Sequence, residues 1–500
     1  MKKYLVFAAA ASLFAACSSD DGAVAGPQQE AQQTAGEVAV GFDAYVNRAT
    51  TRAGKTGDVD AAAIQTAKVG FGVFAYHTNS DVYDQTFTPN FMYNQQVTYS
   101  TDYWTYSPIK YWPNEFGANA ASEDVDKVSF FAYAPYVSVD AASGKVKDNH
   151  TATYDGDNGN KTYGIVGMKS NSAAGDPMVK YMASFYTDQQ VDLVWGTVSS
   201  TAATSKWAKK NGGDAQVVTA GMPWLDIQHP SATSSTDRKT AQKVDFDFKH
   251  ALARLNVTVD TKANSTSAAS PLNDITGPAS ATKVFIRSVT FEGFDMKGAL
   301  NLNNTTAGTA QWYNIDCLSE LNNGNEVTIK DGRTDGKEGV TAATKEFAAI
   351  NKNFVQDGTW AAMNTAATAR PGVTGTAANL FCPFGGGVPA ADAPIYVIPN
   401  GDPLKVTIEY DVLTADANLN GKLNDGTTPG SVVKNVITRY ITTGTDSPLG
   451  STTSTSGITL VNGLQYTIAL HLGLNSVEFN ASVTAWPTAT ANGADLPHNN

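Results

Sequence analysis

Charge is scarce in this chain of 500 residues: Asp, Glu, Lys and Arg together make up 16% of it, where a soluble domain ordinarily carries about 25%. The 35 Lys and Arg are outnumbered by 47 Asp and Glu, a formal charge of −12, and no basic run occurs. Binding to a phosphate backbone needs clustered cations to displace counterions, so nucleic acid is excluded as a partner. Cysteine is rarer still. Cys17, Cys317 and Cys382 are too few for a disulfide-dense scaffold or a cysteine-rich zinc module, and whether Cys317 and Cys382 pair is left open. No apolar run of about 18–20 residues follows the N-terminal region, so no internal membrane helix is available. Helical periodicity is nearly missing too; residues 342–352 are the best of a weak set.

Catalytic signatures are equally thin. The six histidines (His77, His150, His229, His250, His471 and His498) form neither an HExxH motif nor an i,i+4 pair for zinc. His250 and His471 fall in strand-like segments and read as packed or hydrogen-bonded residues. There is no GxSxG elbow, P-loop or GxGxxG after a strand. The segment 416–423, Asp-Ala-Asn-Leu-Asn-Gly-Lys-Leu, imitates half of an EF-hand loop, but its twelfth position is Thr427 instead of a bidentate Glu. Hairpin-turn chemistry explains the Asn-Gly equally. No catalytic, cofactor-binding or metal-ligating residue is assigned, no cofactor is expected, and the chain does not read as an enzyme.

What fills the gap is Thr, Asn, Ser, Gly and Ala, with 10% aromatics, enough Tyr, Phe and Trp to build a core. Apolar and polar residues alternate with period two through much of the chain from 37 to 486. Clear cases are Val69 to Phe74, Val128 to Tyr133, Val244 to Phe248, Leu255 to Val259, Leu404 to Val412, Val432 to Ile441, Leu464 to Leu474 and Val477 to Trp486. Gly/Asn/Asp/Ser/Thr loops separate them, long ones at 140–180, 197–240, 303–390 and 442–457. Many strands without intervening helices predict an all-β protein of β-sandwiches. A Ser/Thr-rich stretch before residue 240 divides the chain into units 37–240 and 241–490. The cluster Trp104, Tyr106, Tyr111 and Trp112 could serve as a sugar-stacking platform, but its two prolines favour packing inside a sandwich.

The N-terminal residues read MKKYLVFAAAASLFAAC. Two lysines precede a short apolar stretch, and small residues lead to Cys17, which resembles the lipobox of bacterial lipoproteins. Residues 1–16 are then a lipoprotein signal peptide and Cys17 the lipidated residue; the plainer alternative is a signal peptide cut after an alanine. Residues 17–36, rich in Ala, Gly and Gln after an acidic Ser-Ser-Asp-Asp, read as a flexible tether.

Several strands carry more than alternation. They include Trp104 to Pro113 (WTYSPIKYWP), VSFFAYAPY at 128–136, VDFDFKHALARLNVTV at 244–259, FIRSVTFEGFDMKGALNL at 285–302, IYVIPN at 395–400 and LQYTIALHLGLNSVEFNASVTAW at 464–486. This ordered set resembles the fimbrillin family, the type V pilins and fimbrillin-like surface lipoproteins, over roughly residues 13–486. The Phe248 to Leu255 segment and the WxYxxxxYWP segment are its most specific parts. The resemblance implies two transthyretin-like Greek-key β-sandwiches in tandem, lipoprotein export to the outer membrane and cell surface, clipping after an N-terminal arginine, and polymerisation by strand exchange. Partners would be other fimbrial subunits, the outer membrane through lipid on Cys17, and a surface receptor or glycan. The alternative is a surface lipoprotein that does not polymerise, acting as a fimbrial anchor or glycan-binding protein.

The residues themselves supply a mechanism for that processing. Residues 37–47 alternate with Val38, Val40, Phe42, Ala44 and Val46 on one face, a half-buried first strand. The loop 48–57 that follows is polar and presents Arg48 and Arg52 before small residues, as a trypsin-like protease requires; Arg52, within Thr-Thr-Arg-Ala, is preferred over Arg48. Removing the strand would leave an apolar groove and an open edge for another strand. The donor is expected within 477–486, because Val477, Phe479, Ala481 and Val483 repeat the Val-x-Phe-x-Ala-x-Val template of Val40 to Val46. Similar side-chain volumes in the same order cost least in a packed groove, and a one-residue slip would turn them outward. Such alternation can also arise by coincidence in half-buried strands.

Overall fold

The computed structural model describes residues 39–46, 64, 69–79, 82–100, 103–113, 127–147, 153–155, 162–183, 187, 190–200, 203, 217–228, 243–260, 281–313, 378–379, 394–423, 425–443, 450–472 and 477–485. Over these residues the chain is all-β, arranged in several sheets. Among them no helix is long and apolar enough to cross a membrane, which says nothing of a β-barrel.

The largest sheet has eight strands: β1 (Phe42–Val46), β2 (Phe71–Asn79), β3 (Met92–Ser100), β4 (Tyr103–Thr105), β5 (Lys127–Ala134), β9 (Val194–Val198), β10 (Trp224–Gln228) and β11 (Val244–His250). Their order is β1-β11-β9-β5-β2-β3-β4, with β10 paired to β5. The two ends meet, because Ala39 forms an antiparallel bridge with Tyr111, just beyond β4. The sheet therefore curls around Phe71, Val73, Phe130, Ala132, Val244, Phe246 and Phe248, which share one core. β11 shows why alternation works here: Val244, Phe246, Phe248 and His250 are buried, while the residues between them are only half-buried. In β5, by contrast, both faces are covered: every residue of VSFFAYA is buried, and the alternation that opens at Val128-Ser129-Phe130 gives way to consecutive apolar residues.

The opposite face of that sheet, including Phe74, Phe131, Tyr133 and Trp195, belongs to a second core. Against it lies a five-stranded sheet of order β16-β15-β8-β7-β6, built from β6 (Thr153–Asp155), β7 (Thr162–Met168), β8 (Met178–Met182), β15 (Lys297–Asn301) and β16 (Gln311–Tyr313). The strands β6, β7 and β8 fall in or beside the stretch 140–180 that the sequence presents as loop. Glycine and lysine interrupt TYGIVGM and MVKYM, and β7 shifts register against β8 between Ile165 and Gly167, so strict alternation is lost.

The second core continues into the remaining two sheets. One has the order β14-β18-β12-β21-β22, with β12 (Ala253–Asp260), β14 (Phe294–Asp295), β18 (Ile395–Pro399), β21 (Leu464–Leu472) and β22 (Val477–Ala485), and β17 (Ala378–Asn379) paired to β12. The other joins β13 (Thr282–Glu292), β19 (Lys405–Ala415) and β20 (Gly430–Tyr440). Strands from both sides of residue 240 share sheets: β11 lies between β1 and β9, and β15 extends β8. The FKHALARL segment is the crossover. Phe248 sits in the first core, Ala251 and Leu252 in the second, and the chain passes from β11 to β12 through two residues.

Polar contacts pin the sheets where they meet. The buried carboxylate of Asp176 accepts hydrogen bonds from Tyr83 Oη (2.9 Å), Gln85 Nε2 (2.7 Å), Asn301 Nδ2 (2.9 Å) and Asn303 Nδ2 (3.0 Å). It thus ties the segment after β2 to the end of β15. Near it the buried Lys169 has its pKa lowered to about 8, because desolvation outweighs the attraction of Asp176.

Candidate functional site

The first strand fills a groove rather than simply lying on a sheet. β1 pairs in parallel with β11, from Phe42 opposite Val244 to Val46 opposite Phe248. Parallel neighbours are joined here across some two hundred residues of sequence, and such ladders are slightly weaker per residue than antiparallel ones. The side chains supply much of the hold. Val40, Phe42 and Ala44 are 1%, 2% and 3% exposed, and full burial of a Val or Phe is worth about 1.5–3 kcal/mol each.

Phe42 is the centre of the arrangement. Four aromatic rings surround it: Tyr106 at 5.4 Å between ring centroids, Phe130 and Phe246 at 6.0 Å, and Phe71 at 6.3 Å. Edge-to-face and offset pairs of this kind add about 0.5–1.5 kcal/mol each beyond their area. The floor needs a glycine beneath it, since a Cβ on Gly196 of β9 would stand 2.7 Å from Cδ1 of Phe246.

On the side away from β11, the segment 106–112 forms a strap over β1. The N–H of Val40 donates to the carbonyl of Lys110 at 2.9 Å. The Tyr106 hydroxyl donates to the carbonyl of Val40 at 2.8 Å and receives the N–H of Lys110 at 3.2 Å. Burial pushes the Tyr106 phenol well up, so it stays a neutral donor. On the β11 side, the N–H of Val244 donates to the carbonyl of Gly41 at 3.0 Å. Outside the groove Lys243 reaches Asp43 at 3.3 Å, an exposed pair.

The aromatic-proline cluster therefore belongs to the interior. Trp104, Tyr106 and Trp112 are buried, with Trp104 4.9 Å from Phe71 and Trp112 5.5 Å from Phe130. Sequence patterning pointed to packing but not to what is packed: the cluster walls and straps the place of β1. The signal was present in the spacing WxYxxxxYWP, whose first three aromatics surround a turn. Its partner strand, far off in sequence, was not signalled.

The remaining site residues fall as follows. Cys17, Arg48 and Arg52 lie outside the described residues, as do Cys317, Cys382 and the stretch 342–352. Val477, Phe479, Ala481 and Val483 are in β22, the outer strand of its sheet, opposite Leu472, Leu470, Ile468 and Tyr466 of β21. Ala481 is buried, whereas Val483 is 37% exposed. His250 is buried with its Nδ1 2.8 Å from Oδ2 of Asp192, a structural contact as its strand position suggests. His471 is buried in β21. The EF-hand-like segment forms the tip of the β19–β20 hairpin: Asp416 Oδ1 accepts the N–H of Asn418 at 2.9 Å, and Asp425 accepts three donations from Thr427 and Thr428. Those donations pull the Asp425 carboxyl down to about 2. Among the described residues no three His, Cys, Asp or Glu side chains come together as a metal-holding group.

No family model matches the chain. Over 102 residues, 20% of its length, it is 36% identical to the fimbrium subunit Fim1C of Phocaeicola vulgatus, and it spans only 23% of that curated relative. A crystal structure of a fimbrial protein from Bacteroides vulgatus aligns with 90% of this chain and 99% of its own, at 18% identity and a TM-score of 0.43. The resemblance to fimbrillins is thus consistent with a curated relative that is a fimbrium subunit.

Proposed function

We propose that this chain is a structural or adhesive subunit of cell-surface fimbriae, and that subunits join through the groove occupied by β1. The observation that carries this reading is the manner in which β1 is held. It is a short edge strand, caged by aromatics, paired in parallel, and followed within a few residues by Arg48 and Arg52. Cutting after Arg52, or after Arg48, leaves that strand attached only by non-covalent contacts. A strand of similar volume from another subunit can then take its place, burying the same floor and pairing the same edge. The candidate donor is the segment of Val477, Phe479, Ala481 and Val483.

The finer parts of the proposal follow the same family likeness. Residues 1–16 direct export, lipid on Cys17 holds the precursor to the outer membrane, and 17–36 is the tether. Tandem transthyretin-like sandwiches form the body, with strands shared across residue 240. Partners are further fimbrial subunits and a surface receptor or glycan.

Arginine-specific proteolysis of the purified precursor tests the reading. A ladder of SDS-resistant oligomers is expected, and it should disappear on Phe479→Asp or on deletion of residues 477–500. If both variants still assemble at the wild-type level, the donor lies elsewhere. If no ladder forms and the surface protein retains a lipidated Cys17 instead of starting at Ala53 or Ala49, the chain is an anchor or glycan-binding lipoprotein.

A further inference from the structure

The groove is not symmetric about its axis, and its asymmetry lies in the main chain as much as in the side chains. At Val40 the strap offers an acceptor first and a donor second. The Lys110 carbonyl takes the strand's N–H, and the Tyr106 hydroxyl meets the carbonyl of the same residue. Two residues further on comes the four-ring cage for Phe42, and two beyond that the small site of Ala44. A strand entering in the opposite direction can still bring an aromatic to the cage if its sequence is suitably ordered. It cannot keep the strap fully satisfied. Its N–H could donate to the Tyr106 hydroxyl, whose proton would turn to the Lys110 carbonyl 3.2 Å away, but its own carbonyl would face the Lys110 carbonyl, acceptor against acceptor, and be left without a donor. A buried polar group left without its partner costs more than the bond itself contributes.

We infer that the groove admits a replacing strand in one direction only, parallel to β11 as β1 is, with an aromatic two residues after the strap-bound position and a small residue two after that. This rests on the strand-replacement reading above and adds the direction and the side-chain grammar of the partner. A second copy of this chain satisfies the grammar in order, since Val477, Phe479 and Ala481 align with Val40, Phe42 and Ala44. The same segment runs antiparallel to β21 in its own sheet. A donor strand therefore exchanges an antiparallel neighbour for a parallel one.

The test uses full-length protein clipped after Arg52 with the cut strand left in place, so that the fold is kept, and follows displacement by synthetic peptides. One peptide has the sequence of residues 477–486. A second is its reversed sequence, which offers the same side chains to the same sites only if it enters backwards. A peptide of residues 38–47 is the positive control. The forward peptide is expected to displace the strand, and the reversed one to bind about tenfold or more weakly. Direction is then read by disulfide capture with a forward peptide carrying Glu478→Cys. Parallel entry aligns this position with Gly41, where a Cβ would lie 3.1 Å from Cγ of Lys243, so Lys243→Cys should be captured. Antiparallel entry with Phe479 in the cage aligns it with Asp43, opposite Asp245, so Asp245→Cys would be captured instead. Capture at Asp245, or equal binding of the reversed peptide, overturns the inference and leaves strand replacement standing. If the control refills the groove while neither 477–486 peptide binds, the segment is not the donor and its assigned direction falls with it. If the control also fails, strand replacement itself is lost.

Discussion

β1 and the Asp176 joint both bind distant parts of the chain, but with opposite chemistry. β1 is held by an aromatic cage and a parallel ladder, contacts that a strand with similar volumes running in the same direction can reproduce. Asp176 is held by four donors of three residue types, each aimed at one of two oxygens. Apolar burial is indifferent to chain identity, whereas a converging set of hydrogen bonds fits one partner. The apolar contact thus lies at an edge and the specific one where the sheets meet.

Substitutions separate the two kinds of contact. The largest effect is expected from Asp176→Ala, which strands the buried donors on Tyr83 and Asn301 and releases those of the half-buried Asn303 and the exposed Gln85, which water can satisfy; each buried unpaired donor costs about 1–3 kcal/mol, and a loss of about 4 kcal/mol should appear in denaturant unfolding. Phe42→Ala should follow at about 3–4 kcal/mol in the unclipped protein. It should have no effect on assembled material from which residues 1–52 have been removed, which no substitution at the joint can match. Tyr106→Phe removes the strap's donor to Val40 and is expected to cost about 1–2 kcal/mol, read by the same unfolding curves.

Lys169 should change a slope more than a level. Its folded pKa of about 8 lies below the ordinary lysine value of 10.5, so between these two pH values the unfolded chain binds more protons than the folded one. This group's contribution to stability therefore rises with pH across that window. Thermal melts of Lys169→Met against wild type from pH 7 to 11 should show the wild-type rise missing in the variant. The smallest effect belongs to Lys243→Ala. Its exposed partnership with Asp43 should be worth a few tenths of a kcal/mol, and less at high salt.

Much of this architecture was legible in the sequence, and what was hidden has a common cause. The alternation of Val244 to Phe248 and of the residues around Phe42 marked half-buried strands, and the packing of Trp104 to Trp112 followed from its aromatic and proline content. His250 and His471 proved to be buried in their strands, His250 against Asp192. What alternation cannot carry is the identity of the neighbour. Nothing near Phe42 announces that it lies beside Val244, and nothing near Asp176, in an ordinary Gly-Asp-Pro turn, announces four donors from two remote segments. The strands β7 and β8 were obscured by a register shift and by Lys180. Local pattern records burial, while pairing over two hundred residues leaves no local trace.

The two-residue passage from β11 to β12 has a mechanical consequence. In a fibre assembled by the proposed exchange, tension enters each subunit through the strand lodged beside β11. From β11 it runs along the covalent chain into β12, then across the parallel ladder from Arg254–Gln465 to Asp260–His471 into β21, which leads on to the donor segment. No long loop lies on that route. Pulling along these strands loads the ladder's hydrogen bonds side by side in shear, so they share the force instead of parting one after another. The crossover segment Phe248 to Leu255 would then serve as the tensile spine of the subunit, with the long loops outside the load path.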